Sequence, residues 1–360
     1  MSLTPPPITP PSLTPPSTPP PPLTSPSLTQ SSLAARSPAA PGPTPPGIAA
    51  PALVPLTRPA RLRPGARVAV VSPSGPVPED RLTAGLDILR GWDLDPVVMP
   101  HVLDRHPRFK YLAGADEARA RDLQTAWCDP EVSAVLCARG GYGAQRMTDL
   151  LDWAAMRAAG PKVFVGYSDV TALHEAFAVR MGLSTLHGPM TAALSFIENA
   201  ETQESLRATL FEPDTVRTLG LGTARTLVPG RAAGITFGGC VSLLAAELGT
   251  PHARPTGRGG LLLIEDIGEE GYRIDRILTQ LLRSGLLDGV AGIALGSWEE
   301  CTPGDEVREV LLDRLGGLGV PVAGEFGFGH CSTAQTMPLG VPAVLDAGAG
   351  TLTLDVPALI

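Results

Sequence analysis

The chain has 360 residues, of which 18% are charged, and its formal net charge is −8 at pH 7. An acidic balance argues against nucleic-acid binding, which needs a basic face, and no apolar run is long enough to span a bilayer. The five cysteines are odd in number, scattered and without a CxxC pair. This pattern is typical of reduced thiols in a cytoplasm rather than of disulfides or a zinc site.

The first 60 residues differ in composition from the rest of the chain. They hold 20 of the 39 prolines, with Ser, Thr and Ala between them. Proline removes a backbone donor and blocks helices, and this stretch lacks the apolar periodicity that would offset the entropy of ordering. We therefore predict a disordered tail over residues 1–61. It has no basic segment followed by an apolar run, so it is not typical of a signal peptide.

Residues 62–190 alternate short apolar runs with helical patterns. Strands are predicted at 67–71, 96–99, 132–137 and 163–165, and helices at 78–91, 115–129, 144–159 and 171–177, the last of them amphipathic. Strands that alternate with helices of this length form a parallel sheet, and ligands bind at the carboxyl ends of its strands. We therefore expect an N-terminal α/β domain with a parallel sheet.

Residues 191–230 are less regular and are predicted to be a connection. Residues 231–360 are expected to form a second, more β-rich mixed α/β domain. Its signals are a strong strand at 260–266, a helix at 272–284, a strand at 290–295 and several short strands after residue 320. The fold class is thus α/β with two domains, and we expect an active site at their interface.

A serine stands at the corner between the strand 163–165 and the helix 171–177. Ser168 follows Gly166 by two positions. At such a corner the hydroxyl is exposed at the carboxyl edge of the sheet, and the first amides of the helix point at whatever the hydroxyl attacks. This is the geometry of a serine nucleophile. Serine is also a common helix N-cap, and this segment alone does not decide between the two interpretations.

A glycine-rich loop, Arg139-Gly-Gly-Tyr-Gly143, follows the strand 132–137. It matches neither the GxGxxG pattern nor a P-loop, so a nucleotide cradle is poorly supported. Consecutive glycines let backbone amides approach a ligand closely, as an oxyanion hole requires. They suit a tight turn with positive φ equally well, and the loop by itself fits both interpretations.

Two carboxylates and one histidine are candidates to accompany the serine. Glu265 and Asp266 end the apolar strand 260–266, where an acid either begins a solvated loop or orients a catalytic base. Among the six histidines, His330 lies in a loop flanked by glycines, from which it can reach across a domain interface. A surface position is the alternative for His330. No HxH, HExxH or HxxE pattern is present, so we expect no metal site.

Short motifs along the chain resemble one family. They are VAVVSPSG at 68–75, YLAGADEAR at 111–119, RGGYG at 139–143, GYSD at 166–169, HGP at 187–189, GG at 238–239, LIED at 263–266, YRIDR at 272–276 and GH at 329–330. Their order and content resemble the serine L,D-carboxypeptidases, the muramoyltetrapeptide carboxypeptidase family, which also contains the microcin-C immunity peptidases. The resemblance covers about residues 62–355 and leaves the proline-rich tail without a counterpart.

The resemblance implies a role for each matching residue. Ser168 would be the nucleophile, His330 the general base and Glu265 the residue that orients the histidine. The backbone amides of Gly141 and Asp169 would form the oxyanion hole. The implied reaction is removal of the terminal D-Ala from murein tetrapeptides in peptidoglycan recycling. A murein peptide is then the partner, and no cofactor is required.

Two other functions remain open. An immunity-type peptidase of the same family would cleave acyl or peptidyl nucleotide toxins, and a protein of another class would bind a small molecule in the same cleft without catalysis.

The serine corner lacks the second glycine of α/β-hydrolases, because position 170 is Val. The sequence does not identify the third residue of the peptide, the group that binds its terminal carboxylate, or the oligomeric state, a homodimer included.

Overall fold

The computed structural model describes residues 51–220, 222 and 224–360, which carry two β-sheets with helices packed on them. The strands are β1 (Arg67–Val71), β2 (Asp95–Val98), β3 (Val132–Cys137), β4 (Val163–Gly166), β5 (Thr185–His187), β6 (Thr218–Leu219), β7 (Arg225–Val228), β8 (Arg231–Cys240), β9 (Gly260–Ile267), β10 (Gly292–Glu299), β11 (Val322–Gly324), β12 (Met337–Leu339), β13 (Pro342–Asp346) and β14 (Thr351–Leu354).

The helices lie between these strands along the chain. They are α1 (Glu79–Gly91), α2 (Asp116–Cys128), α3 (Ala144–Met147), α4 (Trp153–Ala158), α5 (Thr171–Met181), α6 (Leu194–Glu198), α7 (Ala200–Phe211), α8 (Val241–Glu247), α9 (Gly271–Arg283) and α10 (Gly304–Leu315). Short 3₁₀ turns occupy Thr148–Leu150, Ser168–Val170 and Gly316–Leu318.

The first sheet confirms the predicted parallel α/β arrangement. Within the described residues its six strands follow the order β12-β5-β4-β3-β1-β2. The strands β1 to β5 run parallel, whereas β12 returns from the C-terminal part of the chain and pairs antiparallel with β5. Helices cover both faces, which is why β4 is apolar and buried at each of its positions. The carboxyl ends of β3, β4 and β5 therefore lie side by side.

The second sheet confirms the predicted mixed, more β-rich part. Its eight strands within the described residues follow the order β6-β14-β13-β8-β9-β10-β11-β7. The strands β8 to β11 run parallel and the flanking strands pair antiparallel. Central β9 is buried over its first seven positions, so the acids near its end lie deep in the molecule.

Helix α5 lies between the two sheets. Its first seven residues, 171–177, are all buried, so the predicted amphipathic pattern is wrong for this helix. Residues from the second half of the chain contact two positions of α5. The amide of Cys240 donates a hydrogen bond to Thr171 Oγ1 at 2.9 Å, and Arg254 forms a buried ion pair with Glu175 at 2.7 Å. These contacts fix the serine corner that precedes α5 against the second sheet.

Two predicted segments differ from the structure. The single helix expected at 144–159 is divided into α3 and α4, because the Asp152 carboxylate accepts hydrogen bonds from the amides of Ala154 and Ala155 and begins a new helix there. The expected connection, 191–230, contains α6, α7 and two short strands. Leu206 and Leu210 of α7 pack in the same apolar cluster as β1, so this segment contributes to the core.

The predicted tail is also partly structured. Residues 1–50 lie outside the described residues. From residue 51 onward the chain is hydrogen-bonded: the amides of Leu53, Leu56 and Thr57 donate to Arg258, Gly340 and Gly182, each at 2.8 Å. The expectation of disorder is therefore wrong for residues 51–61. The reason is that backbone hydrogen bonds and the packed side chains of Leu53 and Leu56 order a short segment that has no periodic pattern of its own.

Candidate active site

Ser168 lies at the corner between β4 and α5. Its φ is +65°, a left-handed conformation that costs a non-glycine residue about 1–2 kcal/mol and that occurs preferentially at functional sites. A Cβ at Gly166 would lie 2.7 Å from Val170 Cγ1, so the turn requires glycine at 166 and accommodates valine at 170. No side-chain hydrogen bond of Ser168 caps the helix, which rules out the N-cap interpretation.

The Ser168 side chain faces His330 instead. Its Oγ lies 2.9 Å from Nε2 of His330, and Nδ1 of that imidazole lies 2.6 Å from Oε2 of Glu265. Because a carboxylate can only accept, Nδ1 carries the proton and Nε2 is free to accept from the serine hydroxyl. The structure thus brings the three sequence-predicted side chains into one continuous chain of contacts, with the protons arranged for general-base catalysis.

A glycine allows the histidine loop to approach the carboxylate. Gly329 has φ +92°, and a Cβ at this position would overlap Glu265 Oε2. The next backbone amide, that of His330, lies 3.3 Å from the same oxygen. The Gly-His pair of the sequence motif therefore has a steric reason, since any other residue at 329 would displace the loop from Glu265.

Burial and hydrogen bonds act in opposite directions on the two titratable groups. Burial of Glu265 opposes its ionisation, but His187 and His330 outweigh this and lower the pKa of its carboxyl to about 2. Burial of His330 opposes protonation, but the hydrogen bond and charge of Glu265 outweigh this and raise the pKa of the imidazole above its ordinary value. The carboxylate is therefore ionised and suited to stabilising an imidazolium.

His187 contacts the second oxygen of Glu265, a role that sequence reasoning missed. Its Nε2 lies 3.5 Å from Oε1, and within the described residues neither atom has a closer polar partner. His187 ends β5, which pairs with β4 at Gly166. Its position at the carboxyl end of a strand is the signal that could have identified it.

The other carboxylates of this region have different partners. Asp266 alternates with Glu265 along β9 and so points to the opposite face, where it accepts from the amides of Ser242 and Ile267. Glu269 forms an ion pair with Arg273 at 2.5 Å. Of the three nearby acids, Glu265 is the one that contacts the histidine.

The glycine-rich loop lies directly against the serine. A Cβ at Gly140 would lie 3.0 Å from Ser168 Cβ, and the Gly140 carbonyl accepts a hydrogen bond from the Gly75 amide at 3.0 Å. Gly141 follows with φ +112°. On the other side of the serine, the Asp169 carboxylate accepts from the amide of Ala144 at 2.8 Å. The residues predicted to supply the oxyanion amides, 141 and 169, therefore flank the nucleophile in two mutually anchored loops.

The remaining histidines have structural partners. The buried ring of His174 contacts the Gly166 carbonyl and Thr185, and burial lowers its pKa to about 3, so it stays neutral. The other three contact Asp122 (His101), the amides of 108 and 109 (His106), and Asp149 with Arg180 (His252).

A cleft of about 780 Å³ opens over the serine. Its described lining includes Arg81, Arg139, Tyr167, Ser195 and Ser332 in addition to the loop and histidine described above. The Tyr167 ring packs edge-on against His330 with centroids 4.9 Å apart. A cleft of this size accommodates a short peptide or a nucleotide-sized molecule.

Two further properties concern the described residues alone. In residues 51–360, apart from 221 and 223, no group of three or more His, Cys, Asp or Glu side chains is arranged to hold a metal ion. In the same part of the chain, no helix combines the length and apolar character that crossing a membrane requires.

Two domain models of one known protein family match the chain. The LD-carboxypeptidase N-terminal domain matches residues 68–188, and the LD-carboxypeptidase C-terminal domain matches residues 233–345. The chain belongs to the LD-carboxypeptidase family. The resemblance stated from the sequence motifs is therefore confirmed, and peptidase activity follows at the level of the family.

Individual relatives extend over most of the chain. A protein of Streptomyces coelicolor, provisionally named a carboxypeptidase, is 73% identical over 304 residues, which cover 84% of this chain and 98% of the relative. The murein tetrapeptide carboxypeptidase of Pseudomonas aeruginosa is 34% identical over 300 residues, covering 78% of this chain and 93% of the relative. The chain is thus similar to full-length members of the family.

A solved structure confirms the fold. The microcin C7 self-immunity protein MccF, in complex with glutamyl sulfamoyl guanosine, superimposes with a TM-score of 0.76 at 23% identity. The match covers 84% of this chain and 99% of MccF. At this identity the similarity concerns the arrangement of the two sheets and not the substrate.

Proposed function

We propose that this chain is a cytoplasmic serine L,D-carboxypeptidase that removes the terminal D-Ala from murein tetrapeptides during peptidoglycan recycling. The observation that carries this proposal is the continuous contact from Ser168 through His330 to Glu265 at the floor of an open cleft. The P. aeruginosa relative, by its name a murein tetrapeptide carboxypeptidase, supports the substrate class.

The reaction begins with the serine hydroxyl. Nε2 of His330 accepts the Ser168 proton while the serine oxygen forms a bond to the scissile carbonyl carbon. Glu265 holds the imidazole by its Nδ1–H and stabilises the imidazolium that results. The electron pair of the carbonyl moves onto its oxygen, where the amides of Gly141 and Asp169 bind it. Each such donor is worth about 3 kcal/mol in the transition state.

The tetrahedral intermediate then collapses. The carbonyl re-forms, the bond to the D-Ala nitrogen breaks, and His330 gives its proton to the leaving amine. The murein tripeptide stays esterified to Ser168. A water molecule gives one proton to His330 while its oxygen attacks this ester. His330 passes that proton to the serine oxygen as the ester bond breaks, and the tripeptide acid releases its remaining proton to solvent.

A panel of substrates tests the proposal. Purified protein is incubated with murein tripeptide, tetrapeptide and pentapeptide and with an acyl sulfamoyl nucleotide, and the products are identified by mass spectrometry. We expect tetrapeptide to yield tripeptide and D-Ala. The tripeptide lacks the leaving residue, and the last bond of the pentapeptide joins two D-centres, so both should remain intact. Cleavage of the nucleotide in preference to the tetrapeptide would instead favour an immunity-type peptidase.

A further inference from the structure

A carboxypeptidase must distinguish the free end of a peptide from its interior. The terminal carboxylate is the group that marks this end, and its transfer from water into a cleft requires a charged or hydrogen-bonding partner there. Among the described residues that line the cleft, Arg81 and Arg139 are the arginines, and no lysine occurs. The two arginines are therefore the candidates for binding the carboxylate.

Arg139 is anchored next to the nucleophile. It directly precedes Gly140, the residue whose Cβ would lie 3.0 Å from Ser168. Its Nη1 donates to the carbonyl of Pro76 at 2.8 Å, and this hydrogen bond holds the guanidinium beside the glycine-rich loop. Gly75 makes room for it, since a Cβ there would lie 3.3 Å from Nη1.

Arg139 has unused capacity to bind an anion. A guanidinium carries five N–H donors in a planar fork and remains charged at all relevant pH values. One of its nitrogens donates to Pro76. The residue is otherwise exposed to solvent and lines the cleft. A pair of parallel N–H donors matches the two oxygens of a carboxylate. Arg81, by contrast, extends from α1, which contributes no other residue to the described lining.

We propose that the Arg139 guanidinium binds the terminal carboxylate of the D-amino acid that leaves. This inference rests on the proposed function. It adds that the enzyme is an exopeptidase because a fixed positive charge lies one residue before Gly140, which contacts Ser168. A peptide whose last residue is amidated presents no charge to Arg139 and is bound less tightly in the reactive position.

The test compares two substrates that differ at one group, murein tetrapeptide with a free carboxylate and the same peptide ending in D-alaninamide. Wild-type protein should favour the acid. In Arg139→Gln, kcat/KM for the acid should fall roughly 10- to 100-fold, the value of a charged hydrogen bond, while that for the amide changes little. Arg139→Lys keeps the charge but loses the planar pair of donors, so its kcat/KM for the acid should lie between those of wild type and Arg139→Gln. Arg81→Gln is the matched control and should retain the wild-type ratio of acid to amide.

The outcomes separate this inference from the function on which it rests. If Arg139→Gln keeps the wild-type ratio, or if the ratio collapses in Arg81→Gln instead, the assignment of Arg139 is wrong although the carboxypeptidase remains. If wild-type protein cleaves neither substrate, the proposed function itself is wrong and the inference fails with it. Thermal unfolding of each variant shows that the measured protein is folded.

Discussion

At the scale of single residues, Ser168 and His330 share one proton in the proposed mechanism. We expect Ser168→Ala and His330→Ala each to lower kcat by several orders of magnitude. The double variant should be scarcely slower than either single variant, because the remaining rate arises from the cleft and the oxyanion amides alone. Steady-state rates of D-Ala release measure this. Losses that multiply in the double variant would show that the two side chains act independently.

The pH dependence of the reaction reports on His330. Its imidazole must be neutral to accept the serine proton, and Glu265 raises its pKa above the ordinary value near 6.5. Activity is therefore lost as the pH falls through the raised pKa, and not at the lower pH expected for a free histidine. We expect kcat/KM to fall on the acid side along a single-proton limb that lies above the ordinary histidine value.

The variant Glu265→Gln tests the cause of this shift. Without the carboxylate charge the acid limb should move to lower pH while the plateau also falls. Glu269→Gln is a suitable control, because Glu269 pairs with Arg273. The acid limb of kcat/KM in this variant should stay at the wild-type pH. A limb that does not move in Glu265→Gln would mean that another carboxylate acts on the base.

The three side chains that meet in the candidate site could be predicted from the sequence for a specific reason. Ser168, Glu265 and His330 each lie in a short motif whose residues are local neighbours, such as the glycine that precedes His330. His187 could not be assigned a role in this way. Its contact with Glu265 depends on the placement of β5 relative to the second sheet, and no spacing along the chain encodes the 3.5 Å between the two side chains.

At the scale of secondary-structure elements, the loop before His330 depends on one glycine. In Gly329→Ala the new Cβ would overlap Glu265 Oε2, so we expect kcat/KM to fall by at least roughly 100-fold, since misplacement by about 1 Å has this effect. Gly319→Ala is the matched control, because Gly319 also has positive φ (+71°) but a Cβ there meets nothing within 4 Å. It should lose about 1 kcal/mol of stability and retain activity, measured by thermal unfolding and kinetics.

The segment 51–60 offers a second test at this scale. Five backbone hydrogen bonds join it to distant parts of the chain: Leu53, Leu56 and Thr57 donate three, and the carbonyls of Thr57 and Pro59 accept two. Each is worth about 1 kcal/mol. We therefore expect deletion of residues 1–60 to lower Tm by at least several degrees. Deletion of residues 1–50, which the sequence alone predicts to be disordered, should leave Tm unchanged. Equal Tm values for the two truncations would show that the segment contributes nothing.

Elements were predictable where the local pattern determined them. The strands near 67–71 and 132–137 were found because short apolar runs bounded by polar or turn-forming residues indicate buried parallel strands. The break between α3 and α4 depends on a single capping residue, Asp152, within a sequence that otherwise favours helix. The burial of residues 171–177 of α5 on every face results from tertiary packing that local periodicity does not record.

At the scale of the whole molecule, the site is assembled from distant parts of the chain. Ser168 and His330 are 162 positions apart, and Glu265 and His330 are 65 apart. The antiparallel return of β12 into the first sheet places the histidine loop near the serine corner. Such long-range pairing could not be predicted from hydrophobic patterns, whereas the two sheets themselves could, because the alternation of strands and helices is a local property.

The mechanism makes no use of a metal ion, and the described residues contain no cluster of three ligands to hold one. The central claim is therefore tested most directly by measuring D-Ala release from murein tetrapeptide in the presence of EDTA, with wild-type protein and Ser168→Ala side by side. The account predicts that wild type releases D-Ala at an undiminished rate and that Ser168→Ala releases almost none. Loss of wild-type activity in EDTA that zinc restores, or substantial release by Ser168→Ala, would contradict it.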